Sequence, residues 1–116
     1  MPRRDPRVRL QHMRDYARKA LAMVEGQTRD DLDTDEKLRL ALTHLVELVG
    51  EAAGQVPADI QTQYLEIPWP KVIGMRHRLI HGYDFVDYDI LWNTITGSLP
   101  GLIETLNRIL GEKSDA

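Results

Sequence analysis

A chain of 116 residues, 42% hydrophobic and 28% charged, has room for one domain with one core and is too apolar to remain disordered. It contains no cysteine, which excludes disulfides, thiolate metal sites and cysteine nucleophiles together and fits a reducing compartment. A net charge of -3 excludes general polyanion binding by the molecule as a whole.

The charge is unevenly spread. Residues 1–19 carry Arg3, Arg4, Arg7, Arg9, Arg14, Arg18 and Lys19 against Asp5 and Asp15, whereas residues 25–36 carry Glu25, Asp30, Asp31, Asp33, Asp35 and Glu36 against Arg29. Each run reads either as a solvated face or as a contact, the basic one for RNA and the acidic one for a basic partner. No apolar stretch approaches the roughly 18 residues needed to cross a bilayer. No apolar segment follows the basic N-terminus, so no secretory signal and a cytoplasmic location are expected.

The first predicted helix spans about residues 7–25, with Leu10, Met13, Ala17, Ala20, Leu21 and Val24 on one stripe. Gly26 and the polar run after it close the helix. Asp33 is the expected cap of the second helix, with Glu36 returning the bond three residues on. That helix carries Leu38, Leu42, Leu45, Val46, Leu48, Val49, Ala52 and Ala53 on a face wide enough for the centre of a bundle, and Gly54 and Pro57 end it. Residues 57–70 form a connector with a helical turn possible at 58–64, bracketed by Ile67-Pro68-Trp69-Pro70. A third helix is expected from about Lys71 to His81, stopping at Gly82. A fourth starts near Asp87 and runs through Tyr88, Leu91, Trp92, Ile95, Leu99, Leu102, Ile103, Leu106, Ile109 and Leu110, with Pro100 kinking or splitting it. Residues 111–116 form a tail expected to fray. With no strand pattern and no repeat, these elements predict a single all-α domain over residues 1–116, an antiparallel up-and-down bundle of four to five helices.

The reactive side chains gather in Arg76, His77, Arg78, His81 and Tyr83. On a continuous helix, at about 100° per residue, His77 and His81 would lie about 40° apart, with Arg76 about 140° from His81. Cleaving an RNA phosphodiester through its own 2′-hydroxyl needs a base, an acid and a cation. Histidine serves as either of the first two, and a guanidinium grips two phosphoryl oxygens at once. Other readings stay open on spacing alone. Arg76 and Arg78 can be surface charges, His81 can favour a helix C-terminus, and Tyr83 can be packing. His77 and His81 have the i, i+4 spacing of metal ligands, but neither a following glutamate nor a third ligand is evident. No metal and no cofactor are expected.

Arg76, His81 and Tyr83 together resemble the R-x-x-x-x-H-x-Y signature of HepT-type HEPN toxins. The likeness extends to Glu47-Leu48-Val49-Gly50-Glu51-Ala52-Ala53, to Ile67-Pro68-Trp69 and Gly74-Met75-Arg76, and to residues 84–92 and Leu99-Pro100, covering about residues 35–110. It implies an HEPN-like bundle and a metal-independent endoribonuclease, the toxin of a type VII HEPN/MNT toxin–antitoxin system. Arg76 and His81 match the family's catalytic pair. His77 stands where asparagine is commoner and remains polar. Tyr83 matches the tyrosine that the MNT-type nucleotidyltransferase antitoxin modifies with AMP, adding bulk and negative charge beside the arginine and histidine. The resemblance also implies a homodimer whose paired motifs line one cleft, with RNA as substrate and neither DNA nor membrane as a partner.

Glu47 and Glu51, at i and i+4, can hold Arg76 or Arg78 in position or can form a solvated pair. Two other functions compete with the toxin. One is a non-catalytic HEPN module that assists a nucleotidyltransferase. The other is an RNA-binding adaptor, which the net charge and the scarcity of aromatic residues disfavour.

Overall fold

Helix α1 (Pro6–Val24) begins where the Asp5 side chain accepts the Arg7 amide at 2.9 Å, with Pro6 at a position whose missing N–H costs nothing. The computed structural model describes residues 5–80 and 85–111. Leu10, Met13, Ala17, Ala20 and Val24 form the buried stripe of α1, as their spacing predicts.

The next helix is resolved into two elements. A short turn, α2 (Asp31–Thr34), ends before Asp35, which is extended and accepts the Leu38 amide at 3.0 Å to open α3 (Glu36–Gly54). The expected cap at Asp33 is therefore corrected to Asp35, and Glu36 becomes the first helical residue instead of the returning partner. Asp33 instead accepts from Arg29 at 3.1 Å, and Arg29 also donates to Asp89 at 2.6 Å. The Asp89 carboxylate, and after it Asp33, raise the Arg29 pKa above its ordinary value.

Helix α3 buries Leu38, Leu42, Val46, Val49, Ala52 and Ala53, packing against α1 on one side and the 69–79 segment on the other. Helix α4 (Ala58–Gln63) occupies the connector where a turn is expected. Buried Trp69 fastens the end of that connector, its indole N–H donating to the Tyr64 carbonyl at 3.1 Å.

The third expected helix differs from a continuous 71–81 element. It forms as α5 (Trp69–Ile73) and α6 (Met75–Leu79), broken at Gly74. A Cβ at Gly74 would meet the Pro70 carbonyl oxygen at 3.0 Å, so the tight junction between the two helices favours glycine. After Leu79 the chain is extended at Ile80, which forms an isolated antiparallel bridge with Val86, and Asp87 N–H donates to Leu79 O at 2.7 Å. This pairing, rather than Gly82, stops the helix. The expected 40° relation between His77 and His81 does not apply, because no helix continues past Leu79. His81, Gly82, Tyr83 and Asp84 lie outside the described residues, as do Arg3, Arg4 and the tail 112–116.

Helix α7 (Tyr88–Asn93) opens with Asp87 accepting the Ile90 amide at 3.1 Å. It passes through a π turn (Thr94–Ser98) into α8 (Leu99–Leu110). The split expected at Pro100 thus takes the form of one wide turn. Leu91, Ile95 and Leu99 are spaced by four and four, which drifts about 40° per step on an α-helix. The i→i+5 turn takes up the extra residue and keeps all three buried. Arg7 donates to the Leu110 carbonyl at 2.8 Å and Arg18 to Asn107 at 2.9 Å, tying α1 to α8.

The result is an all-α bundle carried by α1, α3 and the 88–110 element around one continuous apolar core. No strand forms among the described residues. No helix among them is long and apolar enough to cross a membrane.

Candidate active site

The position of Arg76 is set from below by two helices in backbone contact. Gly50 is buried in the C-terminal part of α3, and a Cβ there would lie 3.1 Å from the Val72 carbonyl oxygen and 3.3 Å from that of Ile73. Its hydrogen lets α3 and α5 approach closely, at the cost of about 0.5–1 kcal/mol of helix propensity relative to alanine. One turn later, α6 raises Arg76 and His77 onto the rim of the groove.

That groove is an open recess of about 450 Å³ lined by Glu47, Gly50, Glu51, Gly54, Ile73, Arg76 and His77. Arg76 Nε lies 3.9 Å from Glu47 Oε2, with the arginine side chain 61% exposed and the glutamate 32%. At this length and exposure the pair is worth only about 0–1 kcal/mol. It sets a carboxylate beside one edge of the guanidinium at the mouth of the recess, and a guanidinium is suited to gripping anionic oxygens. His77 shares the rim, so the recess gathers a cation, an imidazole and two carboxylates over a floor with little side chain.

Four of the sequence-predicted residues, Arg76, His77, Glu47 and Glu51, thus come together. Arg78 does not join them. It lines a separate depression with Ile90, Asn93, Thr94 and Ser98 against α7 and the π turn. His81 and Tyr83 lie outside the described residues; in the chain they follow directly after the extended Ile80. Sequence reasoning missed Gly50, Gly54 and Ile73 as the floor and wall. The available signal was a glycine inside an otherwise strong helix. Among the described residues no group of three or more His, Asp or Glu side chains is placed to hold a metal ion.

Residues 13–109, which include this recess, match the family model described as Ribonuclease HepT-like. The chain belongs to the HepT-like ribonuclease family. Relatives of this HepT-like chain share most of its length. A provisionally named RNase of Caldanaerobacter subterraneus subsp. tengcongensis is 32% identical over 105 residues, covering 90% of this chain and 94% of its own. A provisionally named ribonuclease HepT of Thermococcus cleftensis is 36% identical over 87 residues, 72% of this chain and 79% of its own. In Methanocaldococcus jannaschii, a protein named gamma-glutamylcyclotransferase and, provisionally, RNase is 29% identical over 110 residues, 95% of this chain and 50% of that protein. No solved structure matches.

Proposed function

We propose that this HepT-like protein is a metal-independent endoribonuclease, the toxin of a HEPN/MNT toxin–antitoxin pair acting in the cytoplasm. The observation that carries the reading is the joint placement of Arg76 and His77 on the rim of an open recess, a short segment of chain before His81.

In this mechanism one imidazole, from His81 or His77, removes the 2′-hydroxyl proton. The freed oxygen attacks the adjacent phosphorus, and a second imidazole protonates the departing 5′-oxygen. The products are a 2′,3′-cyclic phosphate and a 5′-hydroxyl. Arg76, steadied by Glu47, neutralises charge on the phosphorane as it forms. DNA lacks the attacking hydroxyl and is not cut. A two-fold dimer facing two such rims would double the set of groups, and sedimentation at twice the chain mass would report it.

The test is cleavage of RNA by the purified protein in excess EDTA. Arg76→Ala and His81→Ala should each lower the rate at least about a hundredfold with helical content unchanged. Cleavage unaffected by both substitutions refutes the assignment. Helical, RNA-inert protein that still binds a nucleotidyltransferase would instead favour the non-catalytic module.

Silencing follows the same chemistry. AMP transferred to Tyr83 by an MNT-type partner would place a phosphodiester beside the arginine and exclude RNA. Co-expression with an MNT-type nucleotidyltransferase should add one AMP or more to Tyr83 by mass spectrometry and abolish cleavage, and Tyr83→Phe should escape both. An adduct found only on another residue contradicts this step.

A further inference from the structure

A second depression of about 190 Å³ lies on the neighbouring face of α3, between α3 and α1. Its walls include Arg9, His12 and Tyr16 of α1 and Gln55 of α3. Glu51 lines both hollows. The two hollows are therefore neighbours on the surface of α3, and the path from one to the other, called the trough below, crosses that carboxylate.

Helix α1 lines this trough with Arg9, His12 and Tyr16, and their stripe continues along the helix to Lys19. Arg9, His12, Tyr16 and Lys19 recur at spacings of three, four and three, offset from the core stripe of Leu10, Met13, Ala17 and Ala20. Along the α1 stripe the Tyr16 ring stands 6.1 Å from that of His12, tilted by 49°. The Lys19 ammonium lies 5.9 Å from the Tyr16 ring centroid. Cations interleaved with rings are what a single nucleic-acid strand uses, the cations for phosphates and the rings for base faces.

We propose that the trough binds single-stranded RNA, running from Arg76 and His77 past Glu51 to a second subsite on α1 formed by Arg9, His12 and Tyr16. The choice of RNA rests on the ribonuclease reading above. Charge alternates along this path as positive, negative, positive. A carboxylate repels phosphate, so the strand can follow the trough only with a base at Glu51 and phosphates to either side. At that point Glu51 accepts an N–H from the Watson–Crick edge of the base. A duplex keeps its base edges and faces engaged and would gain neither contact. An acidic protein could meet the cations but would have no use for the rings.

The test is fluorescence anisotropy of a labelled, mixed-sequence RNA of about twelve nucleotides with the full-length His81→Ala protein, which binds without cutting. Adding Arg9→Ala and Tyr16→Leu together should weaken binding by about tenfold or more, since one stacked base is worth roughly five- to a hundredfold. Tyr16→Phe keeps the ring and should stay within about twofold. A duplex of the same sequence should bind less tightly than the single strand. Unchanged affinity in the double variant, with its helical content intact, overturns the proposal.

Cleavage is read separately on the otherwise wild-type background. RNA held through the trough but never cut removes the ribonuclease reading and leaves the trough. RNA cut by the double variant with an unaltered KM removes the trough and leaves the ribonuclease. The supporting result is a raised KM with kcat preserved.

Discussion

Gly50 is where α3 comes closest to the backbone of α5, beneath the recess that Arg76 and Glu47 line. A Cβ there would face two backbone carbonyl oxygens of α5, at 3.1 and 3.3 Å, which cannot rotate aside as a side chain can. Gly50→Ala should therefore push α3 and α5 apart, costing about 1–3 kcal/mol in denaturant unfolding and lowering RNA cleavage along with stability. Gly54, one turn on, is different. A Cβ there would meet only the Ile73 side chain, at an ordinary 3.9 Å, so Gly54→Ala should raise stability by about 0.5–1 kcal/mol. Equal effects at the two positions would contradict this account. At this scale the charged residues were legible in the sequence because their chemistry is carried by residue type. The floor of the recess was not, because a glycine's reason lies in the segment packed on it and not in its own neighbours in the chain.

At the scale of elements, local hydrogen-bond competition decides where helices begin and stop. Four aspartates between residues 30 and 35 offer themselves as caps, and sequence pattern alone favours Asp33 because a glutamate follows three residues later. The structure selects Asp35, because the short turn α2 has already used the preceding residues. Asp35→Ala should cost about 0.5–2 kcal/mol in thermal or urea unfolding. Asp33→Ala should lose only its exposed contact with Arg29, a smaller effect that fades with added salt. The long helices were readable from their apolar stripes, which repeat over several turns. The 69–86 segment was not, since its helices have five residues each and its end is fixed by pairing of Ile80 with Val86 across intervening chain. That is a tertiary event, invisible to any periodicity.

At the scale of the whole molecule, the described residues span 45 × 37 × 24 Å, a slab rather than a sphere. In a slab the central helix is covered on two sides while both its long edges stay near solvent. This is why α3 supplies the core through Leu42, Val46 and Val49 and lines two surface hollows through Glu51. The all-α class followed from composition and stripe spacing, and the family from an ordered series of blocks. The trough did not follow from either, because Glu51 and the α1 stripe are far apart in the chain and meet only through packing. The basic run at the N-terminus and the net acidity of the whole likewise look contradictory in one dimension. In three, Arg9, His12 and Lys19 share one stripe of α1, while Arg7 and Arg18 are spent on α8.

That last use of arginine makes the chain almost circular. Arg7, at the start of α1, donates to the carbonyl of Leu110, at the end of α8, so the first and last helices are fastened end to end by one 2.8 Å bond. Rewiring the order of the helices should then be inexpensive. A permuted gene that joins the two termini through a short flexible linker, and opens the chain in the exposed turn at Gly26-Gln27-Thr28, would keep every core contact. It should yield protein with the parent's helical circular dichroism and a single cooperative melt. A molten or insoluble product would mean that connectivity, and not packing, sustains the bundle.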